Sequence, residues 1–97
     1  MGKALVLNPE DNVATALTDL ESGEAVQVKV SDVGTEKEVV SRAQVPFGHK
    51  IALERVNSGG EVIKYGANIG LASENIEIGD HVHTHNVESR KGRGDKK

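Results

Sequence analysis

The chain contains no cysteine, so disulfides, thiolate nucleophiles and thiolate metal ligands are excluded. Any metal site must therefore use imidazole or oxygen ligands. Aromatic residues are scarce as well, with Phe47 and Tyr65 as the two among 97 residues. The interior must be built mainly from Val, Ile, Leu and Ala, which predicts one small domain with a modest core. Domains of this kind often depend on a partner for stability.

Long hydrophobic runs are also missing. No apolar stretch approaches the roughly 18 residues that a membrane span needs, and the N-terminal segment MGKALVL is too short for a signal peptide. We therefore expect a soluble, cytoplasmic protein that does not enter a membrane.

The formal net charge of −3 gives no general basic field, which argues against nucleic acid as a partner. Residues 87–97 differ from the rest, because they hold five Lys or Arg and two acidic residues, a net charge of +3 that leaves −6 on residues 1–86. We predict a folded domain over 1–86 and a basic, flexible C-terminal tail over 87–97. The motifs of nucleophilic hydrolases, phosphate loops and dinucleotide sites are absent, so the chain does not resemble a complete enzyme.

The apolar spacing predicts short strands with one early helix. A first strand runs over 3–7 and ends at Asn8-Pro9, since proline cannot donate to a sheet. Apolar residues then recur at spacings of three and four, which predicts a helix over 11–20. From residue 25 the period changes to two, which predicts strands over 25–30, 38–41 and 50–56.

A weak internal repeat marks the turns. An apolar residue is followed three positions later by glycine and three further on by valine at Leu20, Gly23 and Val26, at Val56, Gly59 and Val62, and at Ile76, Gly79 and Val82. This spacing predicts three similar turns, each with an unusual glycine φ and each opening a strand. Together with the eleven glycines, it favours a strongly bent, mainly β domain.

The segment GDHVHTHN places His81, His83 and His85 at every second position. On a strand over 81–85 the three imidazoles would share one face, where neighbouring rings can lean onto one metal ion. A complete site needs a third or fourth ligand, which Asp80, Asn86, His49 or a carboxylate from another chain can supply. The alternative is a polar face that contacts only water. His49 and Lys50 at the start of a strand can bind a carboxylate or lie in a solvated turn, and the same alternatives apply to Lys64.

Residues 46–86, PFGHKIALERVNSGGEVIKYGANIGLASENIEIGDHVHTHN, closely resemble the small N-terminal SAF-type module of the altronate/galactarate dehydratase family. The marks of that module occur in order along this segment: GHK-[IV]-A-L, V-I-K-Y-G, I-G-x-A and a closing VHTHN. Residues 11–20 also suit the family, whose domain opens with a D-N-V-A-x-A-L segment. The resemblance covers nearly the whole chain and is weakest at 28–44.

The resemblance implies a β-clip (SAF-like) fold, so we expect a mainly β, small and bent domain with one early α-helix. It also implies loss of water from a sugar acid to give a 2-keto-3-deoxy acid, assisted by Fe²⁺ or Mn²⁺. Members of the family carry the module ahead of a large catalytic domain or as a separate small subunit. We therefore expect a large catalytic dehydratase subunit and an acidic sugar as partners, no activity of the chain alone, and self-association through exposed strand edges.

By motif position, the resemblance implies His83 and His85 as catalytic groups or metal ligands, and His49, Lys50, Lys64 and Asn86 as substrate contacts. His81 is left as a solvent-facing residue. Two alternatives remain open. The similar small subunit of sulfolactate sulfo-lyase serves the elimination of sulfite, and a non-catalytic module would only bind the sugar acid or assemble the enzyme.

Overall fold

A computed structural model describes residues 2–31 and 36–89, and within these residues the chain forms nine short β-strands and no helix. The strands are β1 Gly2–Val6, β2 Val13–Ala16, β3 Ala25–Val30, β4 Glu36–Val40, β5 Lys50–Ala52, β6 Glu61–Lys64, β7 Ala67–Ala72, β8 His81–Val82 and β9 Val87–Ser89. The mainly β expectation is confirmed. The expected strand over 50–56 is correct only for its first residues, because β5 ends at Ala52.

The strands form a six-stranded sheet in the order β4-β3-β1-β2-β5-β8 and a three-stranded sheet in the order β6-β7-β9. β1 and β3 are parallel, and the other pairs are antiparallel. β9 pairs with β7 through residues 87–89, which follow the boundary expected at 86. Residues 90–97 of the expected basic tail lie outside the described residues.

The predicted helix over 11–20 is wrong, because β2 occupies its centre and pairs with β1 on one side and β5 on the other. Val13 packs into one core cluster, while Ala14 and Ala16 pack into the other. A strand that is buried on both faces lacks the alternation of a half-exposed strand, and its apolar residues therefore resembled a helical face. Pairing with both neighbours outweighs the helix propensity of the alanines.

The glycine turns are a recurring element of the fold. Gly23, Gly59 and Gly79 have φ of 87°, 87° and 92°, which confirms the predicted repeat. The structure adds a fourth copy at Val45, Gly48 and Ile51, with a Gly48 φ of 86°. Each of these glycines donates its N–H to a distant backbone carbonyl: Gly23 to Ser41, Gly48 to Ala16, Gly59 to Ala72 and Gly79 to Ala52.

The four turns associate in two pairs. Leu20 and Val45 form a bridge in which each N–H donates to the other's carbonyl at 2.8 and 2.9 Å, and Val56 and Ile76 do the same at 2.9 and 2.8 Å. Each pair of turns has one further hydrogen bond to a side chain. Asp19, which precedes Leu20, accepts the Phe47 N–H, and Asn75, which precedes Ile76, accepts the Ser58 N–H, both at 2.8 Å. The fold thus uses one local device in two equivalent pairings.

Two apolar clusters form the core, one around β1, β3 and β4 and the other between β2, β5 and the smaller sheet. β5 contributes to both, since Ile51 lies in the first cluster and Ala52 in the second. In the described part of the chain, no helix is long and apolar enough to cross a membrane.

A polar clamp attaches the β6–β7 hairpin to the larger sheet. The buried Asp11 carboxylate accepts hydrogen bonds from the Tyr65 and Gly66 N–H groups at 2.9 and 2.8 Å. Asn12 adds a second contact, because its side chain donates to the Glu61 carbonyl at 2.9 Å and accepts from the Ile63 N–H at 2.8 Å. The clamp holds Tyr65 at a φ of 57°, a left-handed conformation that is unusual for a residue with a side chain.

Candidate functional site

Two strands bring distant histidines together. The Gly48 turn places His49 immediately before β5, and the antiparallel pairing of β5 with β8 sets Ile51 opposite His81. As a result, His49 Nδ1 lies 2.9 Å from His81 Nε2, with the ring centroids 5.1 Å apart. The two residues are 32 positions apart in the chain, so no local pattern indicates this contact.

The strand expected over 81–85 is wrong beyond Val82, because the chain turns there. Asn86 accounts for the turn: its side chain accepts a hydrogen bond from the His83 N–H at 3.0 Å and donates to the His81 carbonyl at 2.9 Å. The turn directs the His83 ring onto His49, with centroids 4.3 Å apart. The histidines therefore meet through a turn, and not as an alternating strand face.

Ligand nitrogens of His49, His81 and His83 all lie within 4.8 Å of one another. His49 and His81 are half-buried, and His83 is more open to solvent. The His85 ring lies 5.2 Å from that of His81 and is tilted against it, outside the triplet. The cluster thus includes His81, which the sequence left facing solvent, and His49, which it expected to contact substrate.

The electrostatics of the cluster favour neutral imidazoles. Partial burial, followed by repulsion from protonated His85, His49 and His83 and from Lys50, lowers the pKa of His81 from its ordinary value of 6.5. Partial desolvation, followed by the charges of His49, Lys50 and His85, lowers the pKa of His83. Neutral imidazole is the form that binds a metal ion or accepts a proton.

Lys50 is a cation beside this cluster, and its charge acts on both His81 and His83. It lies in β5 opposite Val82 and, with Val82 and His83, lines an open cavity of about 230 Å³ whose other walls are Ile69, Thr84 and Val87. Burial, and then the positive charge of Lys64, lowers the pKa of Lys50. A half-buried cation beside neutral imidazoles is suited to binding a carboxylate.

The remaining predicted residues take separate positions. Lys64 ends β6 with its Nζ 4.9 Å from the centroid of the Tyr65 ring, so it lies at the hairpin tip. The Asn86 side chain is buried and hydrogen-bonded to the backbone of the His83 turn. Its contacts therefore position the histidines, and the expectation of substrate contact by Asn86 stays untested.

Sequence reasoning named His49 as one of several possible further ligands and left His81 facing solvent, so it did not place the two residues in one cluster. The signal was present in the fourth turn, Val45-Pro46-Phe47-Gly48, whose spacing matches the three turns that were recognised. When the four copies are aligned on their glycines, His49 follows Gly48 as Asp80 follows Gly79, and a strand begins one residue later in both cases. The pairing of these two strands still has to be known before the contact follows.

The cluster fits a divalent transition metal in its chemistry. Three imidazoles and no thiolate form a donor set that suits iron, zinc, nickel or copper. Two nitrogens bound to one such ion are about 3 to 3.5 Å apart, given metal–nitrogen bonds of about 2.1 Å. The 2.9 Å separation of His49 Nδ1 and His81 Nε2 is close to this range, and an ion would replace the proton that they now share.

Comparison with known proteins agrees with this architecture. The family model described as "Altronate/galactarate dehydratase SAF domain" matches residues 2–90. The chain is 36% identical over 89 residues to the altronate dehydratase of Bacillus subtilis (strain 168) and 46% identical over 77 residues to that of Escherichia coli (strain K12). These segments cover 92% and 79% of the chain but only 17% and 14% of the two relatives.

A relative of different size also matches. The chain is 30% identical over 88 residues to the (2R)-sulfolactate sulfo-lyase subunit alpha of Chromohalobacter salexigens, which covers 90% of the chain and 94% of that subunit. The fold, the ordered motifs and these matches agree. The chain belongs to the altronate/galactarate dehydratase SAF domain family.

Proposed function

We propose that this chain is the SAF module of a sugar-acid lyase of the altronate dehydratase type, and that it acts together with a larger catalytic chain. One observation carries the proposal: His49, His81 and His83 converge beside Lys50 at the edge of an open cavity. In this proposal the imidazoles bind a metal ion, and Lys50 beside them binds the carboxylate of the substrate. Elimination of water next to a carboxylate requires both kinds of group.

In this proposal His49, His81 and His83 hold a divalent metal, Fe²⁺ or Mn²⁺, of which the all-imidazole donor set favours Fe²⁺. When bound, the cation supplies Lewis-acid stabilisation of negative charge on the substrate. The lowered pKa values of His81 and His83 keep these imidazoles unprotonated near pH 7, so the ligands need not lose protons first.

Lys50 and Lys64 are assigned to the substrate's carboxylate. Lys50 lines the cavity directly, and Lys64 is near enough for its charge to lower the Lys50 pKa. The apolar wall of Ile69, Val82 and Val87 keeps part of the water away from the Lys50 ammonium, which strengthens its attraction to an anion. His85, beside the triplet, is assigned to proton transfer.

A titration of the metal-free chain with Mn²⁺, followed by NMR of the imidazole signals, tests the metal site. We expect broadening of the imidazole signals that is strongest for His49, His81 and His83. His83→Ala should weaken binding by about tenfold or more, whereas His85→Ala, which removes an imidazole outside the triplet, should change it by less than about threefold. Broadening that depends on His85 and not on His83 would contradict the assignment.

The catalytic role needs a separate measurement in the complete enzyme. If the histidines take part in the reaction, His83→Ala lowers kcat by about tenfold or more without loss of assembly. Unchanged turnover would leave a binding or assembly module as the correct function.

A second candidate is supported by the sulfo-lyase match. The chain is 30% identical to a (2R)-sulfolactate sulfo-lyase subunit alpha over a segment that covers 94% of that subunit. The chain would then be the small subunit of an enzyme that eliminates sulfite from a sulfonated acid. Assays of the reconstituted enzyme with altronate and with (2R)-sulfolactate separate the two candidates. Turnover of altronate releases water, whereas turnover of (2R)-sulfolactate releases sulfite, which can be measured directly.

A further inference from the structure

A groove that shares only Lys64 with the proposed histidine site lies between the larger sheet and the hairpin tip. Leu5, Leu7, Thr15, Leu17 and Tyr65 line this β1–β2 groove, whose volume is about 100 Å³. Leu7, Leu17 and Tyr65 are 42%, 44% and 59% exposed, although they are among the largest apolar side chains of the domain. Single exposed leucines are common, but three large side chains grouped around one groove are characteristic of a contact surface.

The strand register joins this groove to the candidate site. In the six-stranded sheet Leu5 pairs with Thr15, Thr15 with Lys50, and Lys50 with Val82. Directly paired residues point to the same face, and neighbouring strands lie about 4.8 Å apart. The row therefore runs from the groove to the wall of the cavity at His83, about 10 Å separating Leu5 from Lys50.

The groove has a cationic rim. Lys3 alternates with Leu5 on one face of β1, and Lys64 is among the lining residues. Asp11 is the one carboxylate among the described residues that line it, and both of its oxygens accept backbone N–H groups. An apolar groove with lysines at its edge, on a chain of net charge −3, is complementary to an apolar surface flanked by acidic side chains.

At the hairpin tip, the backbone of Tyr65 is held in a conformation that is unfavourable for a residue with a side chain. Its φ of 57° is maintained by the Asp11 clamp, while its ring remains mostly exposed. Backbone strain of this kind costs about 1 to 3 kcal/mol and is concentrated at functional positions. The clamp therefore presents Tyr65, an aromatic residue typical of interface centres, at the edge of the groove.

We infer that the β1–β2 groove is the surface on which the larger catalytic chain docks, through apolar side chains flanked by carboxylates. The inference rests on the proposed function, since it takes that chain as the occupant. The segment that matches this module makes up 17% of the Bacillus relative and is covalently attached to the rest of that polypeptide, which is thereby held close enough to dock. A chain seated on the groove reaches Lys50 along the same row and so closes the cavity beside His83.

Cysteine labelling tests this surface, because the chain has no cysteine of its own. The chain is placed in the Bacillus subtilis altronate dehydratase in exchange for the matching segment, with Leu17→Cys in one protein and Ile78→Cys in the other. Ile78 is 49% exposed, which makes it a matched control for Leu17. Maleimide labelling is then measured by mass spectrometry of the cysteine-containing peptide, in the isolated chain and in the exchanged enzyme.

We expect the enzyme to slow labelling at Leu17→Cys by about tenfold or more and to leave Ile78→Cys nearly unchanged, since a docked chain excludes solvent from the groove. Equal labelling of Leu17→Cys in both contexts overturns the inference. Protection in a catalytically inactive enzyme supports the docking surface and counts against the proposed function, so the two can fail separately.

A second measurement covers the case in which the exchanged enzyme does not fold. The chain is mixed with the same dehydratase lacking its matching segment, and binding is measured for wild type, Leu17→Glu and Ile78→Glu. The inference requires wild-type binding that Leu17→Glu weakens by about tenfold or more while Ile78→Glu does not. No wild-type binding, or equal loss in both variants, contradicts it. Labelling of the isolated chain that slows with concentration would identify a second copy as the occupant and overturn it as well.

Discussion

At the scale of single residues, His81 is decisive because its ring is close to the rings of all three other histidines. It contacts His49 through ring nitrogens, and its ring lies 5.5 Å from that of His83 and 5.2 Å from that of His85. Its backbone carbonyl also accepts the Asn86 amide, so its position depends on the turn that follows. Alternation along the sequence placed His81 on a solvent face, and only the sheet pairing places it within the cluster.

The lowered pKa of His81 and of His83 predicts a stability change with pH in the metal-free chain. Above the ordinary value of 6.5, folded and unfolded chains both carry neutral imidazoles. As the pH falls below it, the unfolded chain takes up protons first, so it binds more protons and the free energy of unfolding decreases. The loss continues until the pH passes the lowered pKa of the folded state.

Urea unfolding at several values between about pH 7.5 and pH 5.5 measures this dependence, in a range above the titration of most carboxylates. A variant with both His81→Gln and His83→Gln should show a flatter curve. A wild-type free energy of unfolding that stays constant or rises on acidification would contradict the predicted decrease.

At the scale of structural elements, the glycine turn organises the fold. Each copy has an apolar anchor, a glycine in the left-handed region and a strand directly after it. The requirement is local, because only glycine adopts this φ without a steric cost. Three of the four copies were therefore recognisable in the sequence, while the pairing of the turns across the domain was not.

The copies differ in their tolerance of a side chain, which gives a matched prediction. At Gly23 a Cβ would meet no atom within 4 Å, so Gly23→Ala should lower the free energy of unfolding by about 1 kcal/mol, through the left-handed backbone conformation alone. At Gly79 a Cβ would collide with the Val40 carbonyl oxygen, so Gly79→Ala should cost about 3 kcal/mol. Chemical denaturation of both variants checks the difference, and equal losses would show that the Gly79 turn can move.

At the scale of the whole molecule, the two sheets are joined by polar contacts as well as by the shared core. The Asp11 and Asn12 side chains connect the loop after β1 to the β6–β7 hairpin, and the Asn86 carbonyl accepts the Ser73 N–H at 2.9 Å. These contacts fix the hairpin, and with it Lys64 and Tyr65, relative to β5 and the histidines. The geometry of the candidate site therefore depends on residues that do not belong to it.

Asp11→Ala tests this dependence. The N–H groups of Tyr65 and Gly66 would lose a charged acceptor. We expect the free energy of unfolding to fall by about 1 to 2 kcal/mol, because water can partly replace the carboxylate. Hydrogen exchange at these two amides should become faster. Asp19→Ala is the control, since Asp19 accepts the Phe47 N–H at an exposed turn and should cost less than about 1 kcal/mol. Unchanged exchange at Tyr65 would show that the clamp does not hold the tip.

The sequence by itself determined the mainly β class, the positions of three glycine turns, most strand positions and the family, because these depend on local alternation, on glycine at left-handed positions and on motifs in order. Tertiary structure alone decided that residues 13–16 form a strand, since pairing with β1 and β5 outweighs local preference. It also decided that His49 meets His81 and His83, because a contact across 32 positions follows from the register of β5 with β8 and the Asn86 turn. No local pattern contains that register, which is set by how the two apolar clusters pack.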